Sequence, residues 1–201
     1  MNVREMNKCI AHFDRYFKQS DCLVIHPLNM KPHIDTLLYK PTEELPYWKL
    51  VSMGAGDFRM PVKNPSFGDR NEYMMFIDPQ EDLTEKSIVD QYVRYLMEVA
   101  FYPILNHCYI TYGHSIEWKP EVGEEMVCAY LELPQVIPDP GVLRCKLGLL
   151  KTVICLQVIL LTREETNKLL EIGSEQFSYY LYPENGTASH FICELHRSEK
   201  F

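Results

Sequence analysis

The sequence has no Gly-x-Ser-x-Gly elbow, no Cys-x-x-Cys or His-x-x-x-His pair, and no apolar run long enough to span a bilayer. The first absence removes the strongest sequence mark of a serine hydrolase, where a strained strand-to-helix turn presents the nucleophile. The second removes the close ligand spacing typical of zinc sites, so no metal ligand and no catalytic residue is assigned. The third, with a charged opening stretch (Met1-Asn-Val-Arg-Glu-Met-Asn-Lys8), provides neither signal peptide nor membrane anchor and predicts a cytoplasmic chain. Basic residues are also scarce: 20 Lys plus Arg face 28 Asp plus Glu, a formal net charge of -8. That field opposes a phosphate backbone, which excludes nucleic acid as the expected ligand and leaves a basic protein surface as an acceptable one. Repeats and low-complexity tracts are absent as well.

What remains is the composition of an ordinary globular chain. Its 201 residues, 46% hydrophobic and 24% charged, predict one domain, residues 1–201, with a substantial core. The seven cysteines are odd in number and scattered, several within apolar runs, as expected of reduced, buried thiols without structural disulfides.

Val3, Met6, Cys9, Ile10, Phe13 and Phe17 recur at helical steps, so residues 3–18 read as an amphipathic helix. Short apolar stretches at 22–25, 34–39, 48–53 and 73–77 read as strands between Pro- and Gly-containing turns. Asp82-Leu-Thr-Glu85 offers a capping box for a largely buried central helix that should end before Pro103. Residues 126–133 and 152–161 are uninterrupted apolar runs, expected of interior strands covered on both faces. Thr162-Arg-Glu-Glu165 caps a helix that stops at Gly173. Residues 177–181 and 188–195 flank Asn185-Gly186 and read as a terminal hairpin. Residues 134–141, rich in proline, read as a loop.

The chemistry-bearing side chains form few local clusters. His26 with His33 and His107 with His114 are each seven residues apart, and only His107-Cys108 near His114 makes a compact group, which ordinary turn histidines account for. Gly54-Ala-Gly56 follows an apolar strand as a dinucleotide loop would, but Asp57-Phe-Arg-Met-Pro61 does not open a phosphate-binding helix, so a sharp turn is the reading. No motif calls for a cofactor.

Four segments carry a resemblance. These are Glu43-Glu-Leu-Pro46-Tyr47-Trp-Lys-Leu50-Val51-Ser52-Met-Gly54, Arg70-Asn-Glu72-Tyr-Met-Met-Phe-Ile-Asp78-Pro79, Gly113-His114-Ser115-Ile116-Glu117-Trp118, and Cys155-Leu-Gln157-Val158-Ile159 leading to Thr162-x-x-Glu165. In this order and spacing they resemble the Suppressor of fused family over most of the chain. The resemblance implies an α+β fold, a single-domain α/β sandwich whose mixed, mostly antiparallel sheet is flanked by helices. It implies a non-catalytic protein-binding role: animal members clamp a peptide of a transcription factor, and single-domain bacterial members are regarded as immunity proteins that neutralise polymorphic toxins. Partner-binding positions follow from the same likeness. Tyr102 matches an aromatic of the animal groove, Leu150 an apolar groove residue, and His114 stands where an aspartate pairs with a histidine of the bound peptide. An imidazole in that place should reject the same peptide. The expected partner is therefore another protein, a toxin or a peptide segment. The competing readings are a small cytosolic hydrolase with a Cys/His or carboxylate site formed only in space, and a scaffold binding peptides by strand addition.

Overall fold

A computed structural model describes residues 1–27, 31–65, 67–182 and 189–196. In chain order the elements are α1 (Val3–Phe17), β1 (Leu23–Ile25), β2 (Asp35–Tyr39), β3 (Trp48–Met53), β4 (Asn71–Ile77), α2 (Lys86–Asn106), β5 (Ser115–Glu117), β6 (Cys128–Glu132), β7 (Arg144–Lys146), β8 (Thr152–Leu161), α3 (Arg163–Ile172) and α4 (Ser174–Leu181). The eight strands form one sheet in the order β1-β2-β3-β4-β8-β6-β5, with β7 paired to the N-terminal part of β8. β4 and β8 run parallel and the other pairings are antiparallel. This is the mixed α+β sandwich expected.

β8 shows why the sheet is buried on both sides. Ile154, Leu156, Val158 and Leu160 join the core under α2, while Val153, Cys155, Ile159 and Leu161 join the core under α1, α3 and α4. A strand covered on both faces has no use for alternating polarity, hence its continuous apolar run. α1 supplies Cys9, Phe13 and Phe17 to the second core, as its periodicity predicts.

α2 departs from the sequence reading at both ends. It starts at Lys86 rather than after Asp82, because Asp82 closes a tight turn by accepting from the Thr84 N–H at 3.0 Å. It also runs through Pro103 to Asn106, where His107 in the left-handed region (φ 47°) caps it. Pro103 removes one helical hydrogen bond, but Phe101 and Pro103 itself are buried with the core-facing side of the helix, and that packing outweighs the loss.

The expected terminal hairpin is also corrected. Residues 174–181 are helix α4: Phe177 and Leu181, one turn apart, are buried together, and the aromatic, strand-like composition is overridden by that packing. Asn185-Gly186 lies outside the described residues. Residues Ser189–Phe191 form a 3-10 turn rather than a strand, after which Cys193 bridges to Ile77. β5 and β7, three residues each, fall in segments to which the sequence reading assigns no strand.

The capping box of α3 is present: Thr162 Oγ1 accepts from the Glu165 N–H at 3.3 Å, and a Glu165 carboxylate oxygen accepts from the Thr162 N–H at 2.9 Å. Thr162→Ala should cost about 0.5–2 kcal/mol. An unchanged urea midpoint would show that this cap contributes nothing.

All seven cysteines are free thiols, five buried and two, Cys22 and Cys108, half-buried. Contact with Cys145 followed by burial pushes the Cys9 thiol well up, burial followed by the neighbouring Cys145 and Glu72 does the same at Cys155, and burial pushes Cys128 up to about 12. Native alkylation is expected to label Cys22 and Cys108 first and the other five only after unfolding. A disulfide in the intact mass, or uniform labelling of the native chain, would contradict this.

Candidate functional site

A cleft of about 950 Å³ opens between the turn preceding β5 and the outer face of α4, lined by Tyr112, Gly113, His114, Ser174, Glu175, Ser178, Tyr179 and Tyr182. Two glycines shape it. Gly113 (φ +81°) turns the chain from the end of α2 into β5 in a backbone conformation that other residues rarely adopt. Gly173 (φ +82°) breaks α3 from α4, so that α4 starts in a new direction across the sheet. The turn is fixed by hydrogen bonds from Gly113 N to Leu131 O (2.8 Å), His114 N to Thr111 O (3.1 Å) and Leu131 N to His114 O (2.9 Å).

The floor of the cleft is polar. The Ser178 hydroxyl donates to Glu132 Oε2 at 2.7 Å and accepts from the Tyr112 hydroxyl at 3.3 Å. Burial raises the Glu132 pKa above the ordinary carboxylate range, against its hydrogen bonds to Ser178 and to the backbone. The Tyr130 hydroxyl anchors the start of α4 through Ser174 O at 3.0 Å. On the rim, Tyr179 is 73% exposed and Tyr182 and His114 are exposed beside the carboxylate of Glu175. His114 Nδ1 sits 3.1 Å from both the Thr111 N and O, and Ser178 is committed to Glu132, so the two residues are not joined as base and nucleophile. The arrangement offers aromatic faces, hydroxyls, the His114 imidazole and the Glu175 carboxylate around the buried Glu132.

Of the three positions expected at a partner site, only His114 lines this cleft. Tyr102 is on α2, 36% exposed, and Leu150 is 97% exposed next to the equally exposed Leu149 in the turn between β7 and β8. Neither is a core residue, and neither belongs to the cleft lining. The tyrosines and serines of the cleft were missed because 177–181 read as strand. The helical spacing of Phe177 and Leu181 just after Gly173 is the signal that places Tyr179 and Tyr182 outward.

A second buried carboxylate closes the Gly54-Ala-Gly56 turn from inside. Glu72, on β4, accepts from the Ser52 hydroxyl (2.5 Å) and from the Gly54 and Gly56 N–H groups (2.8 and 3.0 Å). The turn that superficially resembles a phosphate loop therefore cradles the chain's own carboxyl group. Burial pushes the Glu72 pKa up to about 7, against those three donors.

Comparison with known proteins places the architecture. No curated protein sequence matches this chain. Among solved structures, a suppressor of fused homolog from Neisseria gonorrhoeae FA 1090 superposes with a TM-score of 0.69 at 15% identity, covering 98% of this chain and 97% of that one. The Sufu–Fu complex gives 0.64 at 13% identity over 97% and 91% of the two chains. Drosophila Suppressor of Fused gives 0.62 at 14% identity over 90% of this chain, which spans about half (47%) of that protein's length. These likenesses establish the shared fold. The family model for Suppressor of fused protein matches residues 30–195, a stretch that runs from before β2 through the cleft to the bridge at Cys193, and the chain therefore belongs to the Suppressor of fused family.

Proposed function

We propose that residues 1–201 act as one non-catalytic, protein-binding domain that receives a segment of its partner in the cleft between the 112–114 turn and α4, and that its biological role is that of a cytoplasmic immunity protein masking a toxin. The observation that supports it best is the cleft itself: a wide recess with Tyr112, Tyr179 and Tyr182 around a hydroxyl-lined floor. Aromatic side chains with a polar tip are the commonest anchors of protein interfaces, since they bury a large area at low conformational cost. His114 in place of an aspartate turns the rim away from an imidazole-bearing peptide and toward an acidic or hydrogen-bond-accepting group. Tyr102 and Leu150 enter the proposal as exposed apolar contacts for partner surface beyond the cleft, since a specific interface typically spans about 800 Å² per side.

Binding in this family has a structural precedent in the Sufu–Fu complex. The toxin as partner is taken from the resemblance to single-domain bacterial members of the family, and the likeness to the Neisseria homolog, which extends over nearly the whole of both chains, is in keeping with that single-domain form. No helix among the described residues is long and apolar enough to cross a membrane, in keeping with a partner met in solution.

Co-expression tests the role. The chain should restore growth to cells producing the toxin encoded beside its gene and should co-purify with that toxin. Unrelieved toxicity with no complex would remove the immunity reading.

A further inference from the structure

The β1–β2 hairpin carries a side-chain cluster far from the cleft's chemistry. Ile25 pairs with Thr36, so the next step of the antiparallel register sets His26 across from Asp35. His33 precedes Asp35 by two residues and so falls on the same side of the chain. The result is that His26 Nδ1 lies 2.8 Å and His33 Nε2 2.7 Å from the same carboxylate oxygen, Asp35 Oδ1. The two rings are nearly parallel, 25° apart with centroids at 6.0 Å. Among the described residues, no lysine or arginine pairs with Asp35, although its side chain is only 3% exposed.

We propose that His26, His33 and Asp35 form a binding site for a divalent transition-metal ion, with Zn²⁺ the best fit. The donor set is two imidazole nitrogens and one carboxylate oxygen, the combination that suits zinc and its neighbours rather than Mg²⁺ or Ca²⁺, which take oxygen ligands. The three donor atoms already lie within 4.8 Å of one another. A tetrahedral ion with ligands at ~2.0–2.1 Å sets its donors about 3.3 Å apart, so shifts of roughly an ångström or less complete the site. The histidines can make them, with side chains 60% and 58% exposed.

Asp35 is the fixed point. It is the first residue of β2, paired with Met53, and the backbone of Gly54 packs so closely on His33 that an added Cβ would lie 2.8 Å from the His33 carbonyl oxygen. Ligand binding requires only that each neutral imidazole carry its proton on the other ring nitrogen, so the buried carboxylate exchanges two N–H neighbours for a cation that neutralises it. Three protein ligands leave the outward position to water. The acidic chain, net -8, adds a general attraction for cations.

Isothermal titration of the full reduced chain with Zn²⁺, above the range where free histidine is protonated, tests the site. One ion per chain is expected, with no heat from Mg²⁺. His26→Ala and His33→Ala should each weaken binding by about tenfold or more, and the double variant should lose it. Each variant removes a hydrogen-bond partner of the buried Asp35 carboxylate and should melt somewhat lower without metal, so the titrations are run well below the melting temperature of each variant, where all are folded. Co²⁺ should give a visible spectrum without a thiolate charge-transfer band, which separates this site from the seven cysteines. Failure of the wild type to bind Zn²⁺, wild-type affinity in the double variant, or a thiolate band would each overturn the proposal.

Discussion

Replacing Glu72 by alanine is expected to lower the free energy of unfolding by about 3–5 kcal/mol, a large share of what a domain of this size possesses. The carboxylate occupies a fully buried position and satisfies the N–H groups of Gly54 and Gly56 and the hydroxyl of Ser52. Alanine leaves these donors without water or partner, at roughly 1–3 kcal/mol per unsatisfied group. Glutamine keeps an acceptor for the two N–H groups, and its amide faces Ser52, so Glu72→Gln should cost much less.

The same residue gives a pH signature. Its pKa rises from the ordinary 4.5 to about 7 on folding, so the native state holds this proton more tightly than the unfolded chain does. Its contribution is fully present below about 4.5 and is lost as pH rises through about 7. The difference in stability between wild type and Glu72→Gln should therefore shift against the wild type across that window, by on the order of 3 kcal/mol at most. Urea denaturation of both proteins across the window checks both effects. A pH-independent difference, or an alanine variant as stable as the wild type, would contradict them.

The second large effect concerns binding. Tyr179→Ala should weaken the complex with the cognate partner by about thirtyfold, corresponding to ~2 kcal/mol for an aromatic anchor that the partner covers. The side chain is 73% exposed in the free chain, so the melting temperature should not move. His114→Asp should weaken the same complex by placing a carboxylate where the partner is expected to present an acceptor. Tyr102→Ala and Leu150→Ala, outside the cleft, should show smaller losses. Calorimetric titration with purified partner measures all four. Wild-type affinity in both Tyr179→Ala and His114→Asp would move the interface elsewhere.

The elements that could be read from sequence are those whose determinants are local. β8 declares itself by ten apolar or neutral residues in succession, α1 by its period, and α3 by Thr162, Glu165 and Gly173. α4 was hidden because Phe177, Tyr179 and Tyr180 suit a strand as well as a helix, and only burial against the sheet decides between them. β5 and β7 are too short to carry a period.

The polar clusters were hidden for another reason: they depend on strand register. Nothing in the local sequence says that Glu72 reaches back to Gly54 and Gly56, or that His26 faces Asp35 across a hairpin. The compact-looking His107 and His114 went separate ways instead, His107 against the ring of Phe58 and His114 to the rim of the cleft. Family likeness singled out His114, which the structure places in the lining of the cleft, while the tyrosines around it emerged only once α4 was in place.

Amide hydrogen exchange of the full chain, with and without its purified partner, tests the central claim most directly. The account predicts that the partner protects residues 111–114 and 174–182, the two walls of the cleft. Protection confined to other parts of the surface, such as α1 or β1, with these two segments exchanging as in the free chain, would contradict it.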